Sequence, residues 1–170
     1  MKDFVKDFLI IADIDQGNVQ VGLVIYSTGV YVQFQMNTYR TKDEVFDAID
    51  LMPYRYGSTN TADALQTMRT EMFTRQNGDR PDVPNICVIV TDGVSNINSR
   101  RTIPEAEQAR DAGIHIYAIG IGLKDTSELD GIASRPIEKN RFAVQEFSEL
   151  RVVRDQVFAS VCPSKCNVYK

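Results

Sequence analysis

The sequence predicts an α/β domain built on a mostly parallel β-sheet with helices on both faces. Segments whose apolar residues recur at helical spacing alternate along the chain with β-branched apolar runs, and this alternation is typical of parallel sheets. The strongest runs, at 19–26, 86–90 and 114–121, are almost continuously apolar. Strands of this composition are expected to be covered by helices on both sides.

The N-terminal segment is predicted to form a helix followed by a β-hairpin. Apolar residues repeat at helical spacing from Phe4 to Ala12, and we expect this helix to end near Gly17. Apolar and polar residues alternate over 30–34, after a turn at 27–29. This alternation indicates an edge strand that pairs with the preceding run and has one solvated face.

Two helices are predicted before the second apolar run. Thr41 and Glu44 have the spacing of a capping box, in which each side chain satisfies a free backbone N–H of the other residue. Pro53 should end the helix that they open. A further helix is predicted from Thr59 to Phe73.

The C-terminal half is predicted to continue the alternation. Thr102 and Glu105 have the spacing of a second capping box, with Pro104 in the first turn of the helix. The last predicted elements are a short helix, a short strand and a final helix, at 125–134, 142–144 and 150–161.

Length and charge restrict the domain organisation and the classes of partner. The chain has 170 residues, enough for one domain. We expect residues 1–162 to form it and residues 163–170 to be a C-terminal tail. With 19 basic and 23 acidic side chains, the net charge is -4, which argues against binding nucleic acid or an anionic bilayer. No apolar run approaches the ~20 residues that span a membrane, and no export signal is visible in the sequence.

The three cysteines predict two different environments. Cys87 lies within an apolar run and should behave as a small buried hydrophobic residue with an inert thiol. Cys162 and Cys166 are separated by three residues and lack the further cysteines or histidines of a zinc site. They could form a disulfide with each other or with cysteines absent from this chain.

Short polar side chains at two predicted strand and helix ends indicate a candidate binding site. Ligands bind at the carboxyl ends of parallel strands, and Asp92 follows such a strand, with Gly93 allowing a sharp turn. The segment 57–61 begins a predicted helix and is rich in hydroxyl groups. Alternatively, Asp92 could simply form a turn, and Thr59 and Thr61 could cap the helix. Together, a carboxylate and a hydroxyl would form part of a site for Mg²⁺, which needs about six oxygen ligands.

Enzymatic chemistry has little support in the sequence. Gly120 and Gly122 do not belong to a dinucleotide fingerprint, because position 125 is Asp125 rather than glycine. The loop at Gly57 lacks the lysine of a phosphate-binding loop. His115 is the single histidine, it lies within an apolar strand, and we expect it to be structural.

Four segments in order along the chain are similar to one family. They are Gly17–Val24, Gly57–Leu65, Val88–Gly93 and Ala118–Gly122. The sequence thereby resembles the von Willebrand factor type A domain, in the form found in matrilins and type VI collagen. The resemblance implies a doubly wound, Rossmann-like fold and a metal-ion-dependent adhesion site, in which Thr59 and Asp92 match two of the metal ligands.

The resemblance is incomplete at its N-terminal side. The family begins with a central strand ending in an Asp-x-Ser-x-Ser motif, and this motif does not occur in the sequence. Only two of the usual five ligand positions remain, so Mg²⁺ binding by this chain should be weak or absent. Losing such a strand would remove about 6 to 12 kcal/mol of apolar burial, against a net stability of about 5 to 15. We therefore expect a fold that lacks its central first strand, and a truncated product or incomplete gene model of a longer secreted protein.

The resemblance also implies a function. We expect a non-catalytic protein-binding or adhesion module of an extracellular matrix protein, with collagens and other matrix proteins as partners and with possible assembly through repeated domains. The alternatives are a metal-independent structural assembly domain and an enzyme that handles a nucleotide or phosphate. The extracellular localisation rests on the resemblance alone.

Overall fold

The computed structural model describes residues 1–161, and the side chains of all of these except 147 and 158–161. Helices and strands alternate along the chain in the predicted order, except that one additional short helix precedes the last strand. The helices are α1 (Lys2–Leu9), α2 (Lys42–Leu51), α3 (Thr61–Thr67), α4 (Ser99–Asp111), α5 (Ser127–Ile132), α6 (Ile137–Asn140) and α7 (Leu150–Val161). The strands are β1 (Leu23–Tyr26), β2 (Val30–Phe34), β3 (Asn85–Thr91), β4 (Ile114–Ile121) and β5 (Arg141–Val144). This alternation confirms the predicted α/β class.

The C-terminal strands form a parallel sheet in the order β3-β4-β5. β3 pairs with β4 in continuous register from Asn85 opposite Ile114 to Thr91 opposite Gly120. β4 is buried at every position except His115, because it has a strand on each side and helices on both faces. The strongest apolar run of the sequence is thus the centre of this sheet.

The hairpin of β1 and β2 is a separate two-stranded sheet. The strands are antiparallel, with Tyr26 opposite Val30 next to the turn. The predicted strand 19–26 forms only over Leu23–Tyr26, since β2 offers partners to these residues alone. The hairpin prediction is confirmed, whereas the length predicted for its first strand is wrong.

The two sheets meet through side chains rather than through paired backbones. Within residues 1–161, no strand pairs with the edge of β1 or of β3 that faces away from its partner. All of β1 is half-buried, and β3 buries only Ile89 and Thr91. The described residues therefore contain no strand between the hairpin and the parallel sheet.

Helices on both faces connect the hairpin to the parallel sheet. On one face, Val5 and Phe8 of α1 pack against the apolar clusters of both sheets. On the other face, Tyr26 of β1 and Cys87 of β3 pack against the cluster that contains Leu65 of α3. The hydroxyl of Tyr26 also donates a hydrogen bond to the carbonyl oxygen of Val90, at 3.2 Å. β1 and β3 thus end at the same side of the molecule.

Helix boundaries differ from the prediction at α1. The helix ends at Leu9, well before Gly17. Ala12 and Ile14 are nevertheless buried, in the same cluster as Leu9 and Phe34. The helical spacing of the apolar residues beyond Leu9 therefore reflects burial in the core and not a continued helix.

The two predicted capping boxes have opposite outcomes. At α2, the Thr41 hydroxyl accepts from the Glu44 backbone N–H and the Glu44 carboxylate accepts from the Thr41 N–H, as predicted. The box at Thr102 and Glu105 is wrong, because α4 begins earlier, at Ser99. Thr102 is instead fully buried within the helix, where its hydroxyl donates to Ser95 Oγ at 3.1 Å.

The position of Pro104 in its helix differs from the prediction. Pro104 lies in the second turn of α4 rather than in the first, because of the earlier start of the helix. None of the helices in residues 1–161 has the length and hydropathy of a membrane span. Cys162, Cys166 and the predicted tail 163–170 lie outside the described residues.

Candidate cation-binding site

The loops after β1 and β3 and the start of α3 converge at one rim of the molecule. The Asn60 backbone N–H donates to the Ser27 carbonyl at 2.9 Å. The Ser58 N–H donates to the Thr28 hydroxyl at 3.1 Å. These bonds hold the segment before α3 against the turn of the hairpin.

Thr59 connects the start of α3 to the loop after β3. Its backbone N–H donates to Asn96 Oδ1 at 2.9 Å, and its carbonyl accepts from the Asn96 N–H at 3.0 Å. The Thr59 hydroxyl lies over Gly93, where a Cβ would approach Oγ1 to 3.2 Å. The absence of a side chain at Gly93 therefore leaves room for this hydroxyl at the rim.

Helix capping does not involve either predicted threonine. The side chain that caps α3 is Asn60, whose Oδ1 accepts from the Asp63 N–H at 3.3 Å. Thr61 is the first residue of the helix and is fully buried. The alternative role of Thr59 as a helix cap is therefore wrong, and its half-buried hydroxyl is held beside the turn after β3.

Asp92 lies in the turn that immediately follows β3. The Thr91 hydroxyl donates to the Gly93 carbonyl at 2.7 Å and accepts from the Gly93 N–H at 3.2 Å. This side-chain-to-backbone closure shapes the turn, and Asp92 is exposed on it. Thr59 and Asp92 thus belong to facing loops.

Nearby carboxylates are committed to structural contacts. Asp63 accepts from Arg101 Nη1 at 2.9 Å. Glu128 accepts from both the backbone N–H and the hydroxyl of Ser95, at 3.0 and 2.9 Å. Within the described residues, no group of three or more histidine, cysteine, aspartate or glutamate side chains has the arrangement of a metal site.

The donor set therefore fits a hard divalent cation only in part. A hydroxyl and a carboxylate are oxygen ligands of the kind that Mg²⁺ prefers, but Mg²⁺ takes about six of them in octahedral array. Thr59 and Asp92 would supply two. The remaining positions would have to be filled by water or by groups from outside the described residues.

Sequence reasoning missed Asn96 and Thr28 as residues of this rim. The sequence does not distinguish Asn96 from the other polar residues after β3, although asparagines in such loops commonly bond to nearby backbone. It indicates Thr28 only as part of the hairpin turn. Both residues act through long-range contacts. Thr59 and Asn96 are 37 residues apart in the sequence, and Ser58 and Thr28 are 30 residues apart.

Tyr26 forms a partly buried polar contact below the rim. Burial raises the pKa of its phenol well above the ordinary value. The neutral phenol is therefore the form that donates to Val90 across the two sheets.

The two residues expected to be inert are found in structural environments. Burial raises the pKa of the Cys87 thiol to about 12, so that the nucleophilic thiolate does not form at neutral pH. His115 Nε2 shares a 2.8 Å hydrogen bond with Asn140 Oδ1, and its ring lies 4.7 Å from that of Tyr117. These contacts support the structural interpretation of both residues.

Comparison with known sequences identifies relatives among matrix proteins. The family model of the von Willebrand factor type A domain matches residues 1–156. The chain is 34% identical over 164 residues to the collagen alpha-4(VI) chain of Mus musculus, covering 95% of this chain and 7% of that protein. It is 35% identical over 154 residues to matrilin-2 of Mus musculus, with 88% and 16% covered. It is 29% identical over 171 residues to matrilin-1 of Gallus gallus, with 98% and 34% covered. The chain thus spans about a third or less of the length of these relatives.

Comparison with solved structures supports the doubly wound fold. The structure of proximal thread matrix protein 1 from the mussel byssus matches with a TM-score of 0.87 and 31% identity, covering 95% of this chain and 42% of that one. A second structure of the same mussel protein, with a zinc-occupied MIDAS motif, matches with a TM-score of 0.86, at the same identity and coverage. Since the family model extends over 1–156 and the fold agrees, the chain belongs to the von Willebrand factor type A domain family.

Proposed function

We propose that this chain is a non-catalytic protein-binding module of an extracellular matrix or adhesion protein, with Thr59 and Asp92 forming part of a divalent-cation site on its binding face. The observation that carries the proposal is the convergence of these two residues on facing loops at one rim. The zinc-occupied MIDAS motif of a related mussel protein supports it.

The residues at the rim have separable roles in this proposal. The Thr59 hydroxyl and the Asp92 carboxylate would contact the cation, which we propose to be Mg²⁺. Asn96 positions Thr59 through the paired bonds to its backbone. When bound, the cation would supply a positive centre for a partner's carboxylate, which would complete its coordination.

The proposed partners are extracellular matrix proteins such as collagens. The relatives of this chain are collagens and matrilins, which supports a location outside the cell and assembly through repeated domains. The net charge of -4 argues against nucleic acid as a partner.

Binding to immobilised fibrillar collagen tests the proposal. We expect binding in Mg²⁺ to be reduced by EDTA and by Asp92→Ala or Thr59→Ala. Asp82→Ala is the matched control, because Asp82 is an exposed aspartate in the loop before β3 and should leave binding unchanged. Equal binding in Mg²⁺ and EDTA, together with no effect of Asp92→Ala, would contradict the proposed cation site.

The small number of ligands favours one alternative function. Two protein oxygens are too few to hold Mg²⁺ tightly. A structural assembly domain that uses no metal would not need a complete cation site. That function requires partner binding to survive both EDTA and Asp92→Ala. The same collagen experiment therefore distinguishes the two functions.

A further inference from the structure

Three tyrosines and an arginine form an exposed surface beside the candidate site. Tyr54 and Tyr56, which flank Arg55 in the loop after α2, are 77% and 86% exposed. Tyr31, on the outer strand of the hairpin, is 37% exposed. We call these four residues the Tyr–Arg patch.

Side chains of the patch contact one another in two pairs. The guanidinium carbon of Arg55 lies 4.5 Å from the centre of the Tyr31 ring, in cation–π geometry. The rings of Tyr54 and Tyr56 meet edge-to-face, with centroids 4.4 Å apart. These contacts reduce the freedom of the side chains before binding, which lowers the entropy cost of ordering them on a partner.

The patch adjoins the rim that carries the candidate cation site. Gly57 directly follows Tyr56, and a Cβ at Gly57 would collide with the Thr28 hydroxyl. Ser58 then bonds to Thr28, and Thr59 comes next in the chain. A partner bound at the rim could therefore extend over the patch without a break.

Chemistry on the patch indicates the kind of partner. Within the described chain, Arg55 forms no ion pair with a carboxylate. Its guanidinium group is therefore free to donate two charge-assisted hydrogen bonds to a partner's carboxylate. Exposed tyrosine faces suit prolyl rings, and aromatic side chains are the usual surface for polyproline II segments. Tyrosine and arginine are also the residues enriched in binding hot spots.

We propose that the Tyr–Arg patch binds an acidic, proline-containing extended segment of a partner protein. The carboxylate of that segment pairs with Arg55, and its prolines lie against Tyr54 and Tyr56. The inference rests on the proposed function for the location of the binding face, but the contact itself requires no metal ion. The Tyr–Arg patch contains a single arginine, and the chain has a net charge of -4, so a nucleic acid is an unsuitable occupant.

Calorimetric titration with three synthetic peptides of equal length tests the inference. The probes are repeats of Pro-Glu, Gly-Glu and Pro-Lys, each titrated in EDTA so that the cation site does not contribute. We expect Pro-Glu to bind, Gly-Glu to bind at least several-fold more weakly, and Pro-Lys not to bind. Comparable binding of Gly-Glu and Pro-Glu, or no binding of Pro-Glu, would overturn the inference.

Variants locate the contact on the patch. Arg55→Ala should weaken Pro-Glu binding by roughly tenfold or more, the effect of losing a hydrogen-bonded charge. Arg55→Glu should reverse the preference towards Pro-Lys. Lys139→Glu, which makes the same charge change on α6, should have no effect, and circular dichroism confirms that each variant is folded. If Pro-Glu binds equally well to Arg55→Glu and to the unmodified chain, the inference is wrong.

Collagen binding separates this inference from the proposed function. Loss of Mg²⁺-dependent collagen binding in Asp92→Ala, with Pro-Glu binding in EDTA unchanged, supports both. If collagen binding still depends on Mg²⁺ but Pro-Glu does not bind, the inference is wrong and the proposed function stands.

Discussion

The hydroxyl of Tyr26 donates a hydrogen bond to the backbone carbonyl of Val90, at 3.2 Å, and thereby joins β1 to β3. Adjacent strands in a sheet lie about 4.8 Å apart and share backbone hydrogen bonds. Here a side chain reaches from one strand to the other, since neither edge is paired within the described residues. The phenol acts as a bridge between the hairpin and the parallel sheet.

Replacing this bridge should destabilise the chain and change its response to pH. Tyr26→Phe removes the donor and leaves the Val90 carbonyl without it, which we expect to cost about 0.5 to 1.5 kcal/mol. Because folding raises the phenol pKa above its unfolded value of 10.0, the unfolded chain loses this proton first. The unmodified chain should therefore lose stability as the pH rises above about 10, and Tyr26→Phe should lose less over the same range.

Urea unfolding at neutral and alkaline pH measures both effects. Tyr54→Phe is the matched control, because Tyr54 is exposed and its substitution should leave the stability at neutral pH unchanged. An unchanged pH dependence in Tyr26→Phe would show that the phenol titrates normally in the folded state.

Glu105 should contribute to stability through two arginines, one in the segment that follows α3 and one in α4. It is 6% exposed, and its two carboxylate oxygens accept from Arg69 and Arg101 at 2.8 and 2.9 Å. Burial alone would raise its pKa, but the hydrogen bonds and charges of the two arginines hold it below the ordinary value. Glu105→Ala should cost about 1 to 3 kcal/mol, since it leaves both guanidinium groups without this partner and Arg101 is partly solvated.

A control variant and the pH dependence of stability isolate the contribution of Glu105. Glu107→Ala makes the same substitution at an exposed position of α4 and should cost less than about 0.5 kcal/mol. Because folding lowers the Glu105 pKa, its contribution is present above the unfolded pKa of about 4.5 and is lost as the pH falls below it. A Glu105→Ala variant as stable as Glu107→Ala at neutral pH would show that the ion pairs have no net value.

Local patterns and long-range contacts differ in how far the sequence reveals them. The capping box at Thr41 and Glu44 was predictable because both partners lie within one helical turn. Thr102 and Glu105 have the same spacing, yet Glu105 bonds to Arg69, which is 36 residues away in the sequence. A tertiary contact of this length leaves no periodic signal around Glu105, so the pattern favoured the wrong interpretation.

The candidate site shows the same division. The sequence indicates Asp92 as a candidate because it follows a strongly apolar strand, and Thr59 because it starts a hydroxyl-rich segment. The approach of their two loops depends on the Thr59–Asn96 contact, which joins segments far apart in sequence. The lack of a central strand was expected only through the family resemblance, and the division into two separate sheets was not predicted, since hydropathy describes each strand but not which strands become neighbours.

Hydrogen exchange should detect the unpaired edges of β1 and β3. Amides of these strands that point into the space between the sheets have no strand partner within residues 1–161, whereas β4 is paired on both sides. We expect them to exchange at least about tenfold faster than the amides of β4, because exchange there needs only local opening. Amides of β1 that face β2 provide an internal control within the same strand. Equal protection on the two edges of β1 would show that the inward edge is paired.

Mg²⁺ binding by the chain alone should be weak. Thr59 and Asp92 supply two oxygens, whereas the ion needs about six and releases its water reluctantly. We therefore expect no saturation in a calorimetric titration with Mg²⁺ at micromolar concentrations. A thermal melt should likewise show no shift, since a ligand far below its dissociation constant adds almost no stability.

Asp92→Ala separates weak binding at the rim from non-specific binding by the acidic surface. At millimolar Mg²⁺, any heat that arises at the rim should disappear in Asp92→Ala and persist in Asp82→Ala, since Asp82 lies in a different exposed loop. Heat that is equal in both variants would come from general screening of the -4 net charge. Micromolar affinity in the unmodified chain would contradict the two-oxygen donor set, because it would require further ligands close to Thr59 and Asp92.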